Sequence, residues 1–462
     1  MQEVKYDTED RIAALATAWS PSALAVIRVT GPGAVEALAP LFSRPSALVE
    51  AKGHTAVHGH LVDQRGKVLD EVLATVFRAP RSYTGQDSVE LSCHGSLPGL
   101  KRILAALTGE GGQRGLFRPA GPGEFTLRAF MNGKLDLTRA EAVQELVAAR
   151  TETAQTLALH RLSGAVEQRI RTLANRLLDL TALLNIQLDY AEDDVDTVPV
   201  PLGLLEEVRA ELALLAASFQ TGRVYQEGVR IVLAGRTNAG KSSLFNQLLK
   251  EDRSIVSDEH GTTRDWLESW VSLGGLPVRL FDTAGLREAE GVVEREGIRR
   301  THELIEAADV ILYLVASDEG PNDEDRKFLD LWSHDARLLP VLTKTDLLTP
   351  HFQGSELTGA VLLSSKTGVG LSDLESAVKA RVPGAVRSGP EGPVIDSLRQ
   401  KNLLDRAIAA LDQVKEGTDL GMPLDMVALD VKEALDALGE ITGEVTTSDI
   451  LDHMFSRFCV GK

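Results

Sequence analysis

The order of apolar and polar positions divides the chain into stretches of different texture. From about residue 11 to 130, short alternating runs such as Ala23 to Val29 and Val72 to Phe77 are separated by turn clusters, with one helical stretch near 96–108. Period-two alternation with turn residues predicts strands, and the mixture predicts a compact α+β domain. From Leu137 to about Asp189 the apolar residues recur at helical spacing, with no proline between Pro122 and Pro199. That predicts two or more long amphipathic helices, and Val394 to Val414 and Met426 to Leu438 repeat the texture. Between them, from about 223 to 382, short buried-strand runs alternate with helical segments: Val229 to Ala234, Val278 to Phe281 and Leu339 to Leu342. The fold expected is α/β plus helical, with domains at 1–132 (α+β), 133–222 (first helical part), 223–382 (a doubly wound insert) and 383–462 (second helical part). One discontinuous helical domain interrupted by a self-contained insert accounts for this order, since domain termini often lie close together.

The insert carries the most specific chemistry. Residues 235–242 read Gly-Arg-Thr-Asn-Ala-Gly-Lys-Ser, between the Val229 to Ala234 run and a helical pattern beginning at Ser243. Strand, glycine-rich loop and helix in this order form a phosphate-binding loop. Asn238, Ala239, Gly240 and Ser243 would turn backbone N–H groups toward phosphates, Lys241 would reach the β- and γ-phosphates, and Ser242 would place its hydroxyl on Mg²⁺. Asp282-Thr283-Ala284-Gly285 follows a second apolar run and suits magnesium and a γ-phosphate. Thr343-Lys344-Thr345-Asp346 resembles the guanine-reading element of GTPases, with Thr343 where asparagine is usual. A carboxylate at Asp346 can accept from guanine N1 and N2, a donor pair that adenine lacks. Ser364-Ser365-Lys366 follows a further apolar run, in the place of the last guanine-contact loop. In this order the four elements predict a Ras-like GTPase domain with its site at the carboxyl ends of the strands.

Composition narrows the rest. No run of about 18 apolar residues is present, so no membrane span is expected. The first residues show no basic start or apolar core of a signal peptide. Only Cys93 and Cys459 occur, neither with metal-ligand spacing, which fits a reducing, cytoplasmic setting. A net charge of −18 argues against strong nucleic-acid binding by the chain alone.

Three strings extend the likeness beyond GTPases in general: 80–91 followed by Cys93-His94-Gly95, 122–137 (Pro-Gly-Glu-Phe-Thr-Leu-Arg-Ala-Phe-Met-Asn-Gly-Lys-Leu-Asp-Leu), and the terminal Phe458-Cys459-Val460-Gly461-Lys462. With the domain order, they make the whole chain resemble the tRNA-modification GTPases of the MnmE/TrmE family. The resemblance implies a homodimer through an N-terminal folate-binding domain, partnership with the flavoprotein MnmG, and tRNA as the substrate of the complex. The implied product carries an aminomethyl or carboxymethylaminomethyl group at C5 of the wobble uridine.

The resemblance also implies residue roles. A 5-formyl-tetrahydrofolate-type donor would meet Arg28, Glu90, Lys134 and Lys462, and Cys459 would act near it. Glu294 would orient or activate the attacking water. Thr263 would complete the magnesium shell with Ser242. A K⁺ ion would take the place of an arginine finger, with Asn238, Thr262 and the backbone carbonyls of Ser257 and Glu259 as ligands, and Arg287 is the alternative charge. The runner-up functions are a ribosome-assembly or RNA-associated GTPase and a non-enzymatic switch. The acidic balance and the helical texture after 382 disfavour the former.

Overall fold

The computed structural model describes every residue except 1–7, 110–114, 190–198, 252–267, 283–302, 349–356, 358, 386–391, 457 and 462. The chain forms two compact units, Met1–Gln144 with Gly439–Lys462, and Glu145–Leu438. The stretch 383–462, expected to be one helical part, is thus divided, and its final segment joins the N-terminal unit.

The first unit is built on a six-stranded sheet. Its strands are β1 (Ile12–Leu15), β2 (Ser22–Thr30), β3 (Thr55–Val62), β4 (Val68–Phe77), β5 (Ser88–Gly95) and β6 (Arg118–Pro119), ordered β3-β4-β5-β2-β1-β6. Alternation is the reason for one buried face: Ala25, Ile27 and Val29 of β2, with Val72, Ala74 and Val76 of β4, enter the core. Two short helices, α1 (Ala34–Leu38) and α2 (Pro45–Val49), and α3 (Leu97–Thr108) cover that face. Helix α3 starts where the Ser96 hydroxyl accepts from the Gly99 N–H, and it buries Leu100, Ile103 and Leu107 on one side.

Helix α4 (Glu124–Met131) holds a buried ionic network. Arg128, fully buried, meets Glu124 at 2.8 Å and Asp10 at 2.5 Å. Arg118 meets the same carboxylates at 2.6 and 2.7 Å. Burial pushes the Asp10 carboxyl up, but its hydrogen bonds to Arg118 and Arg128 outweigh this and hold it below the usual carboxylate range. These pairs account for two charged positions of the 122–137 string as scaffold. The last helix of the chain, α15 (Ser448–Phe455), brings Phe455 and Phe458 against Leu127, Leu137 and Ala140.

The second unit contains α6 (Glu152–Leu162), α7 (Ala165–Asp189), α8 (Leu202–Ala217), α9 (Phe219–Glu227) and α13 (Leu398–Asp419), while α5 (Leu137–Ala148) and α14 (Leu424–Thr442) each run from one unit into the other. In α7, Val166, Ile170, Leu173, Leu177, Leu180 and Leu184 are buried at alternating steps of four and three, the stripe that helical periodicity demands. Helices from either side of the insert pack together, with Lys415 on α13 bonded at 2.7 Å to Glu206 on α8. Arg161, buried on α6, holds Glu145 at 2.5 Å and Asp396 at 2.6 Å, tying residues before and after the insert.

The insert has strands β7 (Val229–Gly235), β8 (Glu268–Leu273), β9 (Leu276–Asp282), β10 (Val310–Ala316), β11 (Leu338–Thr343) and β12 (Val361–Leu362), ordered β12-β11-β10-β7-β9-β8. Only β8 pairs antiparallel. Helices α10 (Lys241–Glu251), α11 (Asp323–Leu331) and α12 (Leu371–Arg381) follow β7, β10 and β12. Both faces of this sheet are covered, so β10 is buried along its whole length and reads as an unbroken apolar run.

Candidate functional site

Strand β7 ends at Gly235, whose φ of 133° and close approach to the Leu314 carbonyl exclude a side chain. The chain then turns through residues 236–240 and enters α10, so the first N–H groups of that helix face the turn. Asn238 takes a positive φ of 66° and Gly240 one of 90°, the conformations that wrap the loop. Lys241 is buried, and its ammonium donates to the carbonyls of Gly235 at 2.8 Å and Arg236 at 2.6 Å. The loop's cation is thereby stored against its own backbone. Ser242 and Ser243 are exposed in the first turn of α10.

A cleft of about 1360 Å³ opens over this loop. Asn238, Gly240, Lys241, Ser242, Ser243, Thr343, Lys344, Asp346, Ser365 and Lys366 line it, so the loop and both proposed base-reading segments converge on one space. Asn246, Gln247, Lys250 and Glu319 line it as well. The motifs of the sequence single out none of these four. Four lysines against two carboxylates make the lining cationic, as a polyphosphate requires. Ala239 is buried beneath the loop. Asp282 ends β9, in register with Leu233 of β7, beside the strand that carries the loop.

The base-reading segment is held from behind. Asp346 accepts from the Ser364 hydroxyl at 2.7 Å, and Ser364 is itself buried. Lys344, at a positive φ of 56°, pairs with Asp318 at 3.0 Å. Thr343 behaves differently from what its motif position suggests. Its hydroxyl, buried, donates to the Ala239 carbonyl at 2.7 Å, with the Val315 carbonyl at 3.2 Å. A hydroxyl has one proton to give, so Thr343 fastens the phosphate loop and presents no donor to a base. We expect Asp346→Asn to relax preference for guanine over xanthine nucleotides, because an amide offers one acceptor and one donor in place of two acceptors. Competition between GTP and XTP checks this, and unchanged discrimination would refute the assignment.

Ser257, Glu259, Thr262, Thr263, Thr283, Ala284, Gly285, Glu294 and Lys462 lie outside the described residues, as does Arg287.

A second cluster lies in the first unit. Arg28 and Glu90 face each other across β2 and β5, and the guanidinium donates to one carboxylate oxygen at 2.7 and 2.9 Å. Arg28 also donates to the Gly461 carbonyl at 3.3 Å and lies 5.7 and 5.6 Å from the Tyr83 and Phe125 rings. Lys134 donates to the Pro80 carbonyl at 3.0 Å, so Lys134 and Arg28 both engage the 80–85 loop. The tail is fixed here: Val460 pairs with Pro122, the Cys459 carbonyl accepts from Gly123 at 3.3 Å, and Gly461, at a φ of 91°, lies against the Leu15 carbonyl. Cys459 is exposed, whereas burial, with the Asp70 charge adding to it, pushes the Cys93 thiol to about 11. Among the described residues no group of acidic, histidine and cysteine side chains is placed to hold a metal, and no helix is long and apolar enough to cross a membrane.

Comparison with known proteins also separates an N-terminal part from the rest of the chain. The family described as the MnmE helical domain matches residues 137–459, and the GTP-binding protein TrmE N-terminus matches residues 11–134. A protein of Borrelia recurrentis described as tRNA modification GTPase MnmE is 42% identical over 466 residues, covering 99% of each chain. A protein of Treponema denticola with the same description is 40% identical over 481 residues and covers 100% of both. Among solved structures, the G domain of the T. maritima FeoB iron transporter covers 33% of this chain at 25% identity, with a TM-score of 0.25.

Proposed function

The chain belongs to the MnmE family of tRNA modification GTPases, and from that premise we propose the reaction that its two sites serve. It is a GTP hydrolase of tRNA modification. The finer reading is a K⁺-stimulated GTPase that acts with the flavoprotein MnmG and a tetrahydrofolate one-carbon donor on the wobble uridine of certain tRNAs. The group formed at C5 is aminomethyl or carboxymethylaminomethyl. The observation that carries the GTPase reading is the stored Lys241 ammonium at the mouth of a cationic cleft. Nucleoside analysis of tRNA from cells lacking the protein tests the whole reading, and an unchanged wobble-uridine profile would sink it.

In the cleft, incoming phosphate oxygens exchange for the carbonyls of Gly235 and Arg236 on Lys241, while backbone N–H groups of the loop close around them. Asp346, held by Ser364, accepts hydrogen bonds from the N1–H and N2–H groups of guanine. The donor set fits the ions the family implies: Ser242 with Thr263 for Mg²⁺, and the Asn238 amide oxygen with Thr262 and the carbonyls of Ser257 and Glu259 for K⁺. Held by these residues, the cations would supply positive charge against the negative charge that grows on the phosphoryl oxygens. By their motif positions Glu294 would orient the attacking water and Thr283, Ala284 and Gly285 would serve the γ-phosphate, while Ser365 and Lys366, which line the cleft, would serve the base.

Hydrolysis should therefore run fast in potassium and slowly in sodium, and Asn238→Ala should erase the difference. Equal rates in the two salts would transfer the role to Arg287. Glu294→Ala should lower kcat by about 10²- to 10⁴-fold with little change in GTP affinity. A defect in Glu296→Ala without one in Glu294→Ala would move the assignment.

In the first unit, Glu90, with Arg28 paired to it, suits the polar edge of a folate's pterin, Lys134 and Lys462 suit its anionic tail, and the Tyr83 and Phe125 rings suit its flat faces. The same unit supports a homodimer. Leu24 and Leu73 stand exposed on the sheet face away from α3, 66% and 43% accessible. A monomer in sedimentation would refute that surface. The setting proposed is the cytoplasm.

A further inference from the structure

The second residue of the phosphate loop does not point into the cleft. The Arg236 guanidinium is held beside the cleft, with Nε 2.9 Å from Asp325 Oδ2 and Nη2 3.2 Å from the cleft-lining Glu319 and 3.3 Å from the Gly320 carbonyl. Asp325 is buried at the start of α11, and its contacts are full. Oδ1 accepts the Tyr313 hydroxyl at 3.0 Å, and Oδ2 accepts the Asn322 N–H at 3.0 Å. Asn322 in turn caps the helix through the Asp325 N–H, so this anchor is rigid. The backbone carbonyl of the same Arg236 is the nearer acceptor for Lys241. One residue therefore joins a rigid helix start, through its side chain, to the phosphate-binding lysine, through its carbonyl.

We propose that Arg236 is a positioning residue for nucleotide binding: Asp325 and Glu319 hold its side chain so that the loop keeps its wrapped shape and Lys241 stays poised before nucleotide arrives. This rests on the GTPase reading above. The role divides with Thr343, which holds the loop's far end at Ala239. A planar fork with two carboxylates and a carbonyl resists rotation in a way a single ammonium does not. Preorganisation of this kind serves the part of the ligand that the loop wraps. It should favour GDP and GTP alike and leave the chemical step nearly untouched.

The test uses the full chain. Arg236→Met alone strands a buried carboxylate and can cost fold stability, so it is paired with Asp325→Asn. The asparagine keeps a partner for both Tyr313 and the Asn322 N–H, with no charge left to compensate. The double variant should melt near the wild type, while Kd for GDP and KM for GTP rise together by about 10- to 100-fold, the usual cost of removing a supporting shell. Its kcat should stay close to wild type, and Arg236→Lys should fall between the two. A rise in Kd below about fivefold overturns the proposal, as does a fall in kcat with KM unchanged, which is how a partly misfolded preparation reads. Wild-type protein that binds no GTP would instead sink the GTPase reading itself.

Discussion

Lys241→Ala should leave a folded protein that neither binds GTP tightly nor hydrolyses it. The Lys241 ammonium is the buried cation of the loop, and its partners include two backbone carbonyls that phosphate oxygens would replace. Removing it deletes a charge-assisted contact where negative charge concentrates in the transition state, and kcat/KM should fall by about 10²- to 10³-fold or more. The scaffold should survive. Helix α10 is fastened to the core by Leu244 and Leu248, which the substitution does not touch. Nucleotide titration and hydrolysis assays, with thermal unfolding as the control, decide the matter. Wild-type turnover would mean that the cleft over 235–242 is not the site.

Cys459→Ser, and separately deletion of residues 459–462, should abolish wobble-uridine modification while leaving potassium-stimulated GTP turnover nearly unchanged. The nucleotide cleft belongs to the second unit and the tail to the first. The deletion removes the strand-like pairing of Val460 with Pro122 and the Gly461 carbonyl from Arg28, and with them one edge of the cluster proposed for folate. The serine variant keeps that backbone and removes only the exposed thiol. If GTP turnover falls together with modification, the tail serves folding. If both activities persist, the tail is dispensable.

The strands of the insert were legible because parallel strands covered on both faces are largely apolar, as Val229 to Ala234 is apart from the exposed Arg230, and as Leu339 to Leu342 is throughout. The glycine-rich loop was legible because its residue types are dictated by backbone conformation and not by distant partners. The remainder depends on contacts that sequence spacing does not encode. Arg128 is fully buried because Glu124 and Asp10, the latter 118 positions earlier, offset its charge. Thr343 reads as a weakened base contact, yet its small hydroxyl reaches a carbonyl more than 100 residues earlier, a separation of 104 positions. Arg236 carries no motif role at all, because its partner Asp325 lies in the first turn of a helix beyond the next three strands of the domain.

The seat of the tail has a consequence for how the protein is made. Phe455 and Phe458 complete the apolar cluster around Leu127, Leu137 and Ala140, and Gly123 donates to the Cys459 carbonyl. Those partners leave the ribosome early, whereas Gly439–Lys462 are translated only after the whole second unit. Domains generally fold in the order in which they emerge. Here the β-sheet of the first unit can form at once, but α4 must wait, with its apolar side uncovered, until the second unit has been synthesised. The phosphate-loop unit is therefore able to reach its native state on the nascent chain before the amino-terminal unit does, and Gly439–Lys462 complete that earlier unit afterwards.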